Sequence, residues 1–308
     1  MGGCNSKQQK LSDGSIFYKT SEHATFSEKF HILPSTKGDR PTPSRKINLC
    51  SWLPKEEINI KGVVLISHGL HEHAMKYYAL AHALTQEGYA VYAADHYAHG
   101  KSYGTRGLIK DYKILTDNLA NISNLVRNRH ASNTPFFMVA HSLGTLIAIV
   151  AAEKIPDIAG VVFSGFALVP GPAAASLFGC TCLYPISRTP CAPCLTSVMA
   201  NLSPMGDAAP IFPLAKTSDV ANQKILAEDP FSYAGSIMNK TAYEGLLLAA
   251  AAKAAIPSFK TPFLGIFLFA NSLLPPLTPH IWPPTCFACS PPTPSPTPLL
   301  YFAFLVFF

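Results

Sequence analysis

A chain of 308 residues is long enough for one large α/β domain carrying an inserted subdomain. Charged residues are sparse at 14% and hydrophobic ones reach 48%, a balance that suits a sheet buried on both faces. The formal charge of +6 is modest and the lysines and arginines form no long run. That argues against a nucleic-acid surface and leaves room for a weakly basic face near an anionic membrane.

The first twenty residues are polar and hold no apolar stretch of the kind a secretory signal needs. No uninterrupted apolar run reaches the ~18–20 residues that cross a bilayer. On this reading the chain is intracellular and its eight cysteines are thiols rather than a disulfide framework. The opening Met-Gly-Gly-Cys-Asn-Ser fits N-myristoylation of Gly2, with Cys4 beside it as a palmitoylation site. Two acyl chains would give stable attachment to a cytosolic membrane face, where one gives only marginal attachment. The plainer reading is a polar arm that happens to begin Met-Gly.

Farther along, 46–53 alternates and reads as a strand, and Gly62–Ser67 (GVVLIS) is a continuous apolar run that reads as a buried one. Helical spacing follows over 76–86, closed by Gly88. Strand 89–94, helix 112–129, strand 135–140, helix 143–154 and strand 159–164 continue the alternation, which predicts a mostly parallel sheet with helices on both faces. On the 112–129 helix Leu115, Leu119, Ile122 and Val126 share one face. From Phe166 to about Gly235 strand runs disappear, as expected of a cap inserted into the sheet. A helix is predicted over 243–256 and a strand beginning at Pro262. After Lys260 there is no Asp, Glu, Lys or Arg, and prolines fill 274–298, which blocks regular helices and ladders.

Three segments carry chemistry. Ser142, in Ala-His-Ser-Leu-Gly between a predicted strand and helix, occupies a nucleophile-elbow position, where the turn strains the serine backbone and lifts its hydroxyl above the sheet. Ala140 stands where this pattern more often has glycine. The loop His68-Gly69-Leu70-His71-Glu72-His73 follows the 62–67 strand. In such an arrangement the Leu70 and Leu143 amides are the candidates for an oxyanion hole. The same loop can be read as a metal cluster, but it lacks helical His-Glu-x-x-His spacing, and no metal or cofactor is expected. The third segment, 95–104 (DHYAHGKSYG), reads as a hydrogen-bonded structural turn. The pairs Cys180/Cys182, Cys191/Cys194 and Cys286/Cys289 have spacings a zinc knuckle could use, although cysteine is more often a small buried hydrophobe.

Taken together and in this order, HGLHEH, DHYAHGKSYG and AHSLG resemble the monoacylglycerol lipase family of the α/β-hydrolases, grouped with the S33 serine aminopeptidases. The resemblance covers roughly 46–260. It implies an α/β-hydrolase fold and cleavage of a single-chain lipid ester through an acyl-enzyme on Ser142, with the acyl chain under the cap. The expected organisation is an N-terminal lipidation arm and lead-in over 1–45, a hydrolase core over 46–165, a cap over 166–240, a return to the core over 241–266 and a Pro-rich, apolar non-family tail over 267–308. The family's Asp and His should follow successive later strands. Here 269–274 (FANSLL) has no acid, His280 is the only histidine after Ser142, and the last strands are expected to be missing. No triad Asp or His is therefore assigned, and a serine without a base is a poor nucleophile. Two other readings stay open: a non-catalytic, membrane-tethered protein that binds lipid or a partner, and an aminopeptidase or carboxylesterase on the same fold. Oligomeric state is not readable.

Overall fold

The computed structural model describes residues 8–10, 16–18, 24–33, 46–55, 59–165, 192–209, 228–266 and 301–303. Two short strands, β1 (Gln8–Lys10) and β2 (Ile16–Tyr18), pair with each other ahead of the main sheet. The sheet strands follow as β3 (Ala24–Ile32), β4 (Lys46–Pro54), β5 (Gly62–Ser67), β6 (Tyr89–Ala94), β7 (Phe136–His141) and β8 (Ile158–Ser164). A small separate ladder, β9 (Asp207–Ala209) with β10 (Ile237–Met238), precedes β11 (Phe263–Ile266) and β12 (Tyr301–Ala303). The main sheet runs β12-β11-β8-β7-β5-β6-β4-β3. Its β3–β4 and β4–β6 pairs are antiparallel and every other pair is parallel. The helices are α1 (Tyr78–Gln86), entered through a 3-10 turn at Ala74–Tyr77, α2 (Tyr112–Arg127), α3 (Leu143–Ala152), α4 (Ala192–Leu202) and α5 (Asn239–Ala255).

Local chemistry explains most boundaries. Asp111 caps α2 by accepting a 2.8 Å hydrogen bond from the Lys113 amide. Gly88, at φ +91°, takes the left-handed conformation that ends α1 and donates to the Thr85 carbonyl at 3.0 Å. The continuous apolar run of β5 divides between two cores. Val63 and Leu65 face one side, where α2 and α3 pack on the sheet and α5 packs on both helices. Val64 and Ile66 face the other, against Tyr78 and Ala81 of α1. Leu115, Leu119, Ile122 and Val126 of α2 are all buried, as their spacing predicts. Each such large apolar side chain contributes roughly 1.5–3 kcal/mol on burial.

The short strands β1 and β2 in the lead-in, β9 in the cap and β12 in the tail were not expected from the sequence, and two longer elements also differ from that reading. Residues 24–32 form a full strand rather than an irregular lead-in: Ala24, Phe26, Phe30 and Ile32 alternate, with Glu28 interrupting, and β3 is the edge strand paired along its length with β4. Phe30 is 52% and Ile32 73% exposed. Helix α5 starts at Asn239 rather than Tyr243, since its polar first turn is anchored instead of solvated. The Thr241 hydroxyl accepts from the Ile109 amide and donates to the Gly107 carbonyl. On the α1 side an apolar groove of about 640 Å³ lies across β5, β7, β8 and β11, with Leu84, Phe137, Val139, Val162 and Leu264 in its walls.

Candidate active site

Ser142 lies between the end of β7 and the first residue of α3, with φ 49° and ψ −120°. A non-glycine residue at positive φ is sterically costly and persists only where its surroundings enforce it. Here the Ser142 amide donates to the Ser164 carbonyl of β8 at 3.0 Å, and the Ser142 carbonyl accepts from both the Thr145 amide and the Thr145 hydroxyl. Ala140 is fully buried between Ser67 of β5 and Phe163 of β8 in the strand register.

Gly144 completes the turn. A Cβ at that position would stand 2.2 Å from the Ser67 carbonyl oxygen and 2.8 Å from that of His68. The first turn of α3 thus rests directly on the end of β5, which brings the Leu143 amide and the loop holding Leu70 to the same place. Leu143 is 8% exposed and Leu70 is partly buried. The N-terminus of α3 also carries the positive end of the helix dipole to this spot.

The loop after β5 is held by bonds between residues far apart in the chain as well as near ones. Glu72 accepts from the Gly69 amide (2.9 Å), Lys76 (3.0 Å), the Tyr77 hydroxyl (2.7 Å) and His141 Nδ1 (3.2 Å). Burial alone would raise its carboxyl, but the hydrogen bond from His141 and the charges of Lys76 and His141 outweigh this and hold it well below the usual range. His73 Nε2 lies 2.6 Å from Asp229, whose carboxyl also accepts from Ser232 and the Phe231 amide. Those bonds, led by His73, overcome desolvation and keep Asp229 below its ordinary value. The segment after Asp229 reaches the same loop a second time, through the Tyr233 amide donating to the His71 carbonyl.

The histidines therefore serve separate partners. His68 Nε2 accepts from the His96 amide, so its Nδ1 carries the proton donated to the Gly69 carbonyl. His96 Nε2 lies 3.1 Å from the Ser67 hydroxyl. Desolvation first, and then neighbouring imidazoles, lower both, His96 to about 3. In the turn after β6, Asp95 accepts from Asn48, the Ala74 amide and the Lys101 amide, and leaves no room for a side chain at Gly100.

Residues 269–274 and His280 lie outside the described residues, as do Gly2, Cys4 and every zinc-pair cysteine except Cys194, which is exposed. Among the described residues no histidine bonds the Ser142 hydroxyl and no group of three or more His, Cys, Asp or Glu is placed to hold a metal. Asp157 sits in the turn before β8 and Asp207 on β9, while Asp229 is committed to His73.

The serine aminopeptidase, S33 family matches residues 58–268, more than half of the chain. The chain belongs to that family. As an S33 family member it is 32% identical to a rat monoglyceride lipase over 117 residues, 38% of each chain. It is 27% identical to the human monoglyceride lipase over 206 residues, 66% of this chain and 63% of that one. It thus covers less than two thirds of these relatives. An Arabidopsis thaliana caffeoylshikimate esterase is 27% identical over 202 residues, covering 63% of this chain and 56% of that protein. Among solved structures, a Paleococcus ferrophilus monoacylglycerol lipase superposes with a TM-score of 0.56 at 24% identity, over 72% of this chain and 77% of the other. A soluble variant of a Saccharomyces cerevisiae monoglyceride lipase gives 0.61 at 19% identity, over 82% and 79%. These likenesses establish the α/β-hydrolase fold of the family member: a mostly parallel sheet with helices on both faces.

Proposed function

We propose that this chain is a serine hydrolase of single-chain lipid esters, with Ser142 as nucleophile and the Leu70 and Leu143 amides as oxyanion donors. The observation that carries the reading is the strained backbone of Ser142, fixed at the mouth of the sheet with Gly144 packed on the end of β5. In the reaction the Ser142 oxygen attacks the acyl carbonyl, the two amides hold the oxyanion, and the C–O bond to the glycerol breaks, the departing oxygen taking up the proton lost by Ser142, to leave an acyl-enzyme. Water then releases the fatty acid. Each oxyanion donor typically lowers the barrier by about 3–4 kcal/mol. The serine proton needs an acceptor, and the described residues offer none bonded to Ser142. Without one, binding and oxyanion stabilisation leave roughly 10³–10⁴-fold acceleration over water.

A fluorophosphonate probe tests this, because it labels only an activated serine. Labelling of the full chain that disappears in Ser142→Ala supports catalysis. Absence of labelling favours the non-catalytic reading, a tethered protein that binds lipid or a partner. If labelling is found, turnover of monoacylglycerols against peptide and other ester substrates separates a lipase from an aminopeptidase or another carboxylesterase. The names of the relatives favour the glycerolipid.

Attachment to a cytosolic membrane face through Gly2 and Cys4 belongs to the same proposal. No helix among the described residues is long and apolar enough to cross a membrane. Mass spectrometry of the native N-terminal peptide decides it: a free Gly2 amine and free Cys4 thiol would remove the anchor.

A further inference from the structure

At the outer flank of the sheet, on its α2 side, β3, β4 and the end of α2 enclose a cavity of about 660 Å³. It spans β6, β4 and β3, two to four strand positions from β7, roughly 10–19 Å at the usual spacing between strands. It shares no lining residue with the Ser142 site. Three permanent cations line it: Lys29, Lys55 and Arg129. Among the described residues no carboxylate lines the cavity or pairs with any of the three. Elsewhere Lys76, Lys101, Lys154 and Lys240 each reach a carboxylate.

The remaining walls add hydrogen-bond donors. A guanidinium only donates, so the 3.2 Å contact between Arg129 Nη2 and His31 Nε2 makes His31 the acceptor there and leaves its Nδ1–H for another partner. Arg129 also lies over the Tyr92 ring, 5.8 Å from its centroid, and the Tyr92 hydroxyl meets His130 Nε2 at 2.8 Å. Burial first, and then the charge of Arg129, hold both His31 and His130 below the ordinary histidine value, as a field of positive sign requires. On the floor the Ser27 and Ser51 hydroxyls lie 2.7 Å apart.

A pre-placed guanidinium fork, two ammonium groups and hydroxyl donors suit a tetrahedral, multiply charged oxyanion. The site is a single cavity rather than a stripe, so it fits one such group rather than a polyphosphate backbone. We propose that this cavity binds a phosphate-bearing anion, with the phosphate among Arg129, Lys29 and Lys55. The group comes either from an anionic lipid headgroup or from a soluble phosphate.

The test uses the full chain made without acylation, so that Gly2 and Cys4 contribute nothing. Inorganic phosphate is titrated by calorimetry, and co-sedimentation is measured with phosphatidylcholine vesicles with and without phosphatidic acid. Expected is binding that weakens roughly tenfold or more in Arg129→Ala and in Lys29→Ala, with the melting temperature unchanged. Both side chains are exposed, and the N-terminal arm is identical in every variant. Binding to acidic vesicles that inorganic phosphate does not match identifies a lipid headgroup. Binding of phosphate without vesicle capture identifies a soluble ligand. No binding of either, or equal binding by wild type and both variants, overturns the proposal. Glu56 and Glu57 follow Lys55 outside the described residues. Their double Gln variant is the second check: binding that appears only there shows that these carboxylates neutralise the cavity, and it too overturns the proposal.

Discussion

Glu72 Oε2 and His141 Nδ1 stand 3.2 Å apart, joining the loop after β5 to the residue before Ser142. With its bonds to the Gly69 amide, Lys76 and Tyr77, this carboxylate is the point where the proposed oxyanion loop is tied to the elbow. Glu72→Ala leaves four donors without their acceptor in a largely buried place. The expected loss is about 2–4 kcal/mol of stability. Glu72→Gln keeps the shape but not the charge, and should recover most of the melting temperature. If Glu72 positions the loop, fluorophosphonate labelling falls in Ala and partly returns in Gln. Equal labelling in all three forms would confine Glu72 to stability.

Gly144 admits no side chain. The atoms a Cβ would strike are backbone carbonyls of Ser67 and His68, which cannot rotate away. Gly144→Ala must push α3 off β5, at a cost of about 3 kcal/mol or more. A thermal melt of Gly144→Ala equal to wild type would show that the turn is not packed this way.

Stability should decline in acid in two stages. His68, His96 and His99 are buried and held below their ordinary value, chiefly by desolvation. The unfolded chain takes up protons on them below about pH 6.5 and the folded chain does not. Stability contributed by their neutral burial is therefore complete above that pH and falls below it, by about 1.4 kcal/mol per pH unit for each histidine. Glu72 and Asp229 are depressed carboxylates, so their contribution is complete above the unfolded values and is lost only as pH falls below about 4–5. Urea midpoints at pH 7, 5.5 and 4 check this. His96→Gln should lessen the decline in both intervals by that one histidine's share, because the folded His96 stays neutral down to about pH 3 while His68 and His99 still act.

The groove across β7, β8 and β11 exposes apolar strand surface on the α1 side. Uncovered surface of this kind promotes association. The chain expressed alone is expected to be poorly soluble, and Val162→Lys to improve recovery without altering the elbow. A sharp, cooperative melt of a wild-type monomer would contradict this.

The parallel alternation from Gly62 to Ser164 was legible because each buried strand is a short, dense apolar run and each helix carries its own period. Ser142 was legible for a related reason, since small residues on either side of a serine at a strand-to-helix junction satisfy a local steric demand. Edge strand β3 was not, because Glu28 interrupts the alternation of Ala24, Phe26, Phe30 and Ile32. Nor were the bonds that hold the site. Glu72 and His141 are 69 residues apart, and His73 and Asp229 are 156 apart. No local pattern records such pairings. Glu72 is legible as one of a cluster of polar residues, while its four bonds belong to the folded chain.

The contacts that shape the elbow come from β5, β7, β8 and α3, all within residues 62–164. Nucleophile geometry is thus set within this one stretch. A change of sequence after Lys260 is therefore expected to leave the posture of Ser142 intact. The converse also holds: a complementary fragment that supplies an imidazole would meet a serine already in position.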